Sequence, residues 1–156
     1  MISSKYECIF LDRDGTINLD PGYISSVRGL KFYDYTFKAL KLLKPITKSF
    51  IIITNQSGVS RGIIKEEKVI EINSFIHSKF LENALNLSDI YYCTDLPGNS
   101  PTFRKPETGM FLQASSEHNI DLTKCIMIGD SHKDIVPAKK LGMSSLFVQI
   151  GRASCR

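Results

Sequence analysis

The chain has 156 residues, 42% of them hydrophobic and 23% charged, values that suit one self-sufficient globular domain over residues 1–156 and argue against a disordered, fibrous or repeat protein. Its net charge of +4 is scattered over Lys38–Lys48, Lys65–Lys79 and Lys133–Lys140. That spread reads as solvated helix faces, argues against a nucleic-acid-binding stripe and suits a small polyanionic substrate.

No apolar run approaches the length of a membrane helix, and Met1-Ile-Ser-Ser-Lys-Tyr leads directly into a strand-like segment. A soluble, cytoplasmic protein with no membrane partner is therefore expected. Cys8, Cys93, Cys125 and Cys155 lie far apart without a CxxC pair, which fits reduced thiols better than a disulfide framework.

Short apolar runs alternate with longer amphipathic stretches. Strands are predicted at Cys8–Leu11, Phe50–Thr54, Ile90–Cys93, Cys125–Ile128 and Ser145–Gln149. Between them, helices are predicted at Tyr35–Leu43, Glu66–Leu85, Gly109–His118 and Asp134–Leu141. Val69, Ile72, Ile76 and Phe80 share one face of the second helix. Pro137, three residues after Asp134, fits a first helical turn, and Gly142 is a good C-terminal cap. The alternation implies a doubly wound parallel α/β fold with its site at the carboxyl ends of the strands and no second domain.

The first strand breaks into Asp12-Arg-Asp14-Gly-Thr-Ile-Asn, holding two carboxylates two residues apart at the edge where such a sheet opens to ligand. The pair alone is equally readable as a metal-binding loop or a capping turn. Three further segments follow at strand ends: Thr54-Asn-Gln-Ser-Gly, Arg104-Lys105-Pro106 and Gly129-Asp130-Ser-His-Lys-Asp134. In that order they resemble the motifs of the haloacid dehalogenase superfamily.

The resemblance implies that Asp12 attacks phosphorus to form an aspartyl-phosphate and that Asp14 is the general acid and then the general base. It implies Mg²⁺ held by Asp12, the Asp14 backbone carbonyl and Asp130, with Thr54 and Lys105 binding the transferring phosphoryl oxygens. Asp134 is read either as a partner that orients the metal site or as an N-terminal helix cap.

Within the superfamily, Asp20-Pro-Gly22-Tyr23, Thr54–Gly62 and Arg104–Met110 are similar to the heptose bisphosphate phosphatase and histidinol-phosphatase group. That similarity implies a small phosphorylated sugar as substrate. Asp20, Gly22 and Tyr23 would contact its distal part, Asn55, Gln56 and Ser57 would supply bonds near the phosphate, and Arg104 would add a second cation. A plain surface turn at Asp20-Pro-Gly stays open.

The group carries a zinc site of a Cys-x-His and a later Cys-x-Cys pair. Here Cys93 stands alone, with Asp95, Pro101 and Phe103 at the other positions, so no zinc is expected. A polynucleotide 3′-phosphatase, a histidinol-phosphatase and a non-catalytic sugar-phosphate-binding module remain alternatives. Because no long apolar surface segment stands out, a monomer is expected.

Overall fold

The computed structural model describes residues 3–149. Five parallel strands, β1 (Cys8–Leu11), β2 (Phe50–Asn55), β3 (Leu87–Cys93), β4 (Cys125–Gly129) and β5 (Ser144–Phe147), form one sheet in the order β3-β2-β1-β4-β5. The links are α1 (Thr36–Leu43), α2 (Glu66–Glu82), α3 (Gly109–His118) and α4 (His132–Lys140).

The two central strands alternate aliphatic side chains between two cores, as a strand covered on both faces must. Ile9, Leu11 and Ile52 point to one core with Leu40 of α1 and Ile72, Ile76 and Phe80 of α2. Phe10, Ile51 and Ile53 point to the other, with Met110, Phe111 and Ala114 of α3 and Ala138 of α4. Each such side chain contributes about 1.5–3 kcal/mol by leaving water. Chain order runs outward from β1 to β3 and then restarts at β4, so β1 and β4 flank the point where the winding reverses. Loops leaving their carboxyl ends diverge there and open a crevice.

Several element boundaries differ from the sequence expectation. Strand β3 begins at Leu87, ahead of the expected Ile90, because an outer strand tolerates the polar Ser88 and Asp89; its register with β2 shifts between Phe50 and Ile51. Helix α2 ends at Glu82 although apolar spacing continues to Leu85. Ala84 turns left-handed at φ 55°, its N–H bonds Leu81 and the Leu85 N–H bonds the Phe80 carbonyl at 2.9 Å. Leu85 thus enters the same core as Phe80 from beyond the helix, a hydrophobic C-terminal cap. Strand β5 covers Ser144–Phe147, short of the expected Gln149, and its four residues are exposed.

Helix α4 starts two residues earlier than expected, which changes two readings. Ser131 is its N-cap, accepting from Lys133 N, and Asp134 is the third helical residue whose carboxylate accepts from Ser131 N. That reciprocal pair is a capping box, so Asp134 is not itself the N-cap. Pro137 consequently lies in the second turn, where it withholds a donor from the Lys133 carbonyl. Gly142 closes the helix at φ 71°, with Met143 N reaching Ala138 O at 2.9 Å.

Two buried thiols sit side by side in the β1–β4 register, Cys8 against Cys125. Burial pushes each up from an ordinary 9.0 to about 12. The folded chain therefore keeps protons that the unfolded chain releases, so stability is full below pH 9.0 and declines as pH rises from there toward 12. Iodoacetamide at about pH 8 is expected to leave Cys8 and Cys125 unmodified in the native protein and to label both in denaturant, read by peptide mass mapping.

Candidate active site

The crevice at the carboxyl ends of β1, β2 and β4 is a cavity of about 270 Å³. Asp12, Asp14, Asp20, Gly22, Tyr23, Thr54, Asn55, Gln56, Ser57, Arg104, Lys105, Asp130 and Asp134 all line it, joined by Gly58, Ser131 and Lys133. The first thirteen are the residues singled out from the sequence. They come from four separate segments, and the sheet brings them together.

Asp12 follows β1 directly, its N–H still bonded to Ile128 O of β4 at 3.0 Å. The chain then folds tightly about one carbonyl: Arg13 O accepts from Thr16 N at 3.2 Å and Ile17 N at 3.0 Å. Ile17 anchors this turn in the core, and Thr36 at the start of α1 donates its hydroxyl to Ile17 O at 2.6 Å. Gly15 takes φ 85°, and a Cβ placed there would lie 2.3 Å from an Asp130 carboxylate oxygen. The glycine is thus the cradle for Asp130 and serves the left-handed turn as well. Gly15→Ala is expected to displace Asp130 and cut activity by roughly 100-fold or more, since a misplacement of ~1 Å at a reacting centre costs that much; steady-state kinetics checks it.

Lys105 is fully enclosed and donates to three acceptors: Asp12 Oδ1 at 2.9 Å, Ile53 O at 2.8 Å and Asp134 Oδ1 at 2.6 Å. Burial works against its charge, but Asp12 and Asp134 outweigh it and hold the pKa above the ordinary lysine value. Asp134 therefore acts on the cation that faces Asp12 while it completes the capping box of α4. Oxygens of Asp12, Asp130 and Asp134 lie within 4.8 Å of one another. Like charges at ~4 Å repel by about 4 kcal/mol at an effective dielectric near 20, and Lys105 compensates only the Asp12–Asp134 side. An all-oxygen set with surplus negative charge fits a hard divalent cation at Asp12 and Asp130.

The side chains of the β2 motif bond to other groups of the site. The Asn55 side-chain amide exchanges two hydrogen bonds with the Lys105 backbone, at 3.0 and 3.1 Å, so it locks the lysine loop onto β2. Both amide hydrogens of Gln56 are engaged, on Thr54 Oγ1 at 2.8 Å and Asp14 Oδ2 at 3.2 Å. These two amides position the reactive groups, while Thr54 and Ser57 line the cavity beside them. Asp20 accepts from Gly22 N at 3.0 Å, forming a turn that also carries Tyr23 to the cavity wall. The surface turn and the pocket wall are one feature.

Around the lone cysteine, Cys93 Sγ lies 3.6 Å from Asp95 and 4.0 Å from Ser100 Oγ. Ser100 Oγ accepts from Arg104 N at 3.0 Å, and the Arg104 guanidinium reaches Asp95 O at 3.0 Å. The loop is tied by hydrogen bonds that converge on Arg104. Burial lowers the Arg104 pKa, and the nearby charge of Arg61 pushes the same way. Arg61 itself reaches Ser57 Oγ at 3.5 Å.

Sequence reasoning passed over Arg13, Asn18 and Lys133. The first two touch Asp14. Lys133 had a legible signal: a cation in the first turn of a helix opposes the helix dipole, a placement that stability alone does not favour.

A HAD-hydrolase-like family model matches residues 102–155. A D-glycero-beta-D-manno-heptose-1,7-bisphosphate 7-phosphatase of Photorhabdus laumondii is 36% identical over 153 residues, covering 92% of this chain and 81% of that protein. The protein of the same name from Haemophilus influenzae is 37% identical over 135 residues, covering 83% and 73%. The chain belongs to the haloacid dehalogenase superfamily of hydrolases, within its heptose bisphosphate phosphatase branch. Among solved structures, the D,D-heptose 1,7-bisphosphate phosphatase of B. bronchiseptica, complexed with magnesium and phosphate, superimposes with a TM-score of 0.84 at 26% identity. The match covers 96% of this chain and 84% of that one.

Proposed function

We propose that this protein is a Mg²⁺-dependent phosphatase that removes one phosphate from a small sugar bisphosphate through a covalent phosphoryl group on Asp12. D-glycero-D-manno-heptose 1,7-bisphosphate, the substrate named for the relatives, is the leading candidate. The observation that carries this reading is that the carboxylates of Asp12 and Asp14 share one cavity with several cations. Lys105 lies at the base against Asp12, and Arg104 and Lys133 line the same cavity, with Arg61 tied to its Ser57 wall. A cavity with this many cations suits a substrate that carries more than one phosphate.

In the first step an Asp12 oxygen forms a bond to phosphorus while the bond from phosphorus to the sugar oxygen breaks, and Asp14 gives its proton to that leaving oxygen. In the second, water attacks the same phosphorus, Asp14 takes the water's proton, and the Asp12–phosphorus bond breaks to free phosphate. Thr54 donates its hydroxyl to a phosphoryl oxygen, and Lys105, whose three donors are engaged at rest, reaches another by releasing its bond to Asp12 as that carboxylate turns to phosphorus. Asp12, Asp130 and the Asp14 carbonyl would hold Mg²⁺, which would supply charge neutralisation for the transferring group. Zinc has no part in this reading, because the loop side chains bonded to Cys93, Asp95 and Ser100, supply no second thiolate or imidazole.

A monomer is the proposed working unit, since no long apolar surface segment stands out in the sequence. Among the described residues no helix is long and apolar enough to cross a membrane, and a cytoplasmic location completes the reading.

The test is phosphate release, with Mg²⁺, from the heptose bisphosphate, histidinol phosphate and a 3′-phosphorylated oligonucleotide, alongside metal analysis of the purified protein. One phosphate per bisphosphate, loss of turnover on chelation, rescue by Mg²⁺ and no bound zinc are expected. Preference for the oligonucleotide would move the assignment to nucleic-acid ends. Turnover of no phosphoester would make the protein a binding module.

A further inference from the structure

We propose that Arg13, with Asn73 behind it, is the positioning residue that fixes the acid/base carboxylate Asp14; this rests on the phosphatase reading above. Arg13 is the largest fully buried side chain of the described residues, at 0% exposure. A buried guanidinium is costly unless it is paired and hydrogen-bonded. Here its Nε donates to Asp14 Oδ1 at 2.8 Å and its Nη2 to Asp14 Oδ2 at 3.1 Å, a two-pronged grip on the neighbouring residue. Nη1 points to Asn73 Oδ1 of α2 at 3.4 Å, which ties the grip to the helix.

The other contacts of Asp14 are also donors. Asn18 Nδ2 reaches Oδ1 at 2.9 Å and Gln56 Nε2 reaches Oδ2 at 3.2 Å. Asn18 is itself fully buried, and its Oδ1 has no partner. Its amide nitrogen donates both to this carboxylate and to the Leu19 carbonyl at 3.0 Å, while its own oxygen stays unpaired. Two donors on each oxygen use the four acceptor positions that a carboxylate offers. To pass a proton to a leaving oxygen or take one from water, Asp14 must release one of these bonds. Arg13 holds both oxygens at once, so either of the weaker partners, Asn18 or Gln56, can yield while the carboxylate keeps its aim.

This assigns Arg13 an effect on both steps that use Asp14 and none on substrate affinity. The variants are Arg13→Lys, which keeps the charge and loses the two-pronged geometry, and Asn73→Ala, which removes only the outer support from a half-buried helix position. Each is assayed on the sugar bisphosphate, whose leaving oxygen needs a proton, and on p-nitrophenyl phosphate, whose leaving group does not.

For Arg13→Lys, kcat on the bisphosphate is expected to fall roughly 10- to 100-fold with KM within about twofold. On p-nitrophenyl phosphate, formation of the phosphoenzyme proceeds and its hydrolysis lags, giving a burst of nitrophenol that approaches one per site. Asn73→Ala should show the same pattern at a smaller amplitude. A merely structural role would lower both substrates in proportion to the folded fraction, without a burst, and that result in both variants overturns the proposal. So does unchanged kcat in both. If the wild type itself turns over neither substrate, the phosphatase reading fails first and this inference falls with it.

Discussion

Replacing Asp12 by asparagine is expected to lower turnover by at least about 10⁴-fold while the fold and the binding of substrate survive. The amide matches the carboxylate in shape but cannot displace an alkoxide from phosphorus. Its neighbours predict retained stability. Lys105 keeps Asp134 at 2.6 Å and the Ile53 carbonyl at 2.8 Å, and one of three clustered carboxylates becomes neutral. The melting temperature should therefore stay within a few degrees of wild type, measured by circular dichroism, and calorimetric titration should still detect the bisphosphate. Residual activity above about 1% of wild type would mean that the chemistry does not run through this residue.

Lys105→Met is expected to damage both activity and stability, and so to differ from the Asp12 variant. The ammonium is enclosed, and its removal leaves Asp12 and Asp134 buried without their shared cation. Breaking a buried ion pair from one side costs about 3–5 kcal/mol. At roughly 2–4 °C per kcal/mol for a domain of this size, the melting temperature should fall by about 6–20 °C. The carbonyl of Ile53 loses its partner as well. Lys105→Met with Asp134→Asn in the same chain should recover part of that loss, because fewer uncompensated charges remain, while turnover stays low. Thermal melts of the single and double variants read this coupling directly. Additive losses would show that the two side chains do not act as a pair.

The contrast between these variants follows a division in what the sequence made readable. Asp12, Asp14 and Asp130 were legible because they follow apolar strand-like runs and stand in segments that occur in the order of the haloacid dehalogenase motifs. The doubly wound sheet was legible for the same reason: isoleucine-rich runs such as Phe50–Ile53 alternate with amphipathic helices. What stayed hidden depends on partners distant in sequence. For Asn55 and Gln56 the family resemblance implied backbone and side-chain bonds near the phosphate. Their bonds, to residues 50 and 42 positions away, show them holding Lys105 and Asp14 in place.

Arg13 was hidden by its own chemistry, since an arginine between two acids reads as solvated and nothing local says that α2 covers it. Asp134 was half legible. Its carboxylate does meet the helix terminus, but Ser131 holds the N-cap position, and the second oxygen is turned to Lys105. Leu85 was misplaced because spacing cannot distinguish a last helical turn from a cap whose side chain returns to the same core.

The central claim is a covalent bond between phosphorus and Asp12, and rapid acid quenching during turnover of the bisphosphate, followed by peptide mass spectrometry, tests it most directly. One phosphoryl group on the peptide containing Asp12, absent from Asp12→Asn and lost again when substrate is exhausted, is the predicted result. Full turnover with no phosphorylated peptide at any quench time, or a phosphoryl group on another residue, would contradict it.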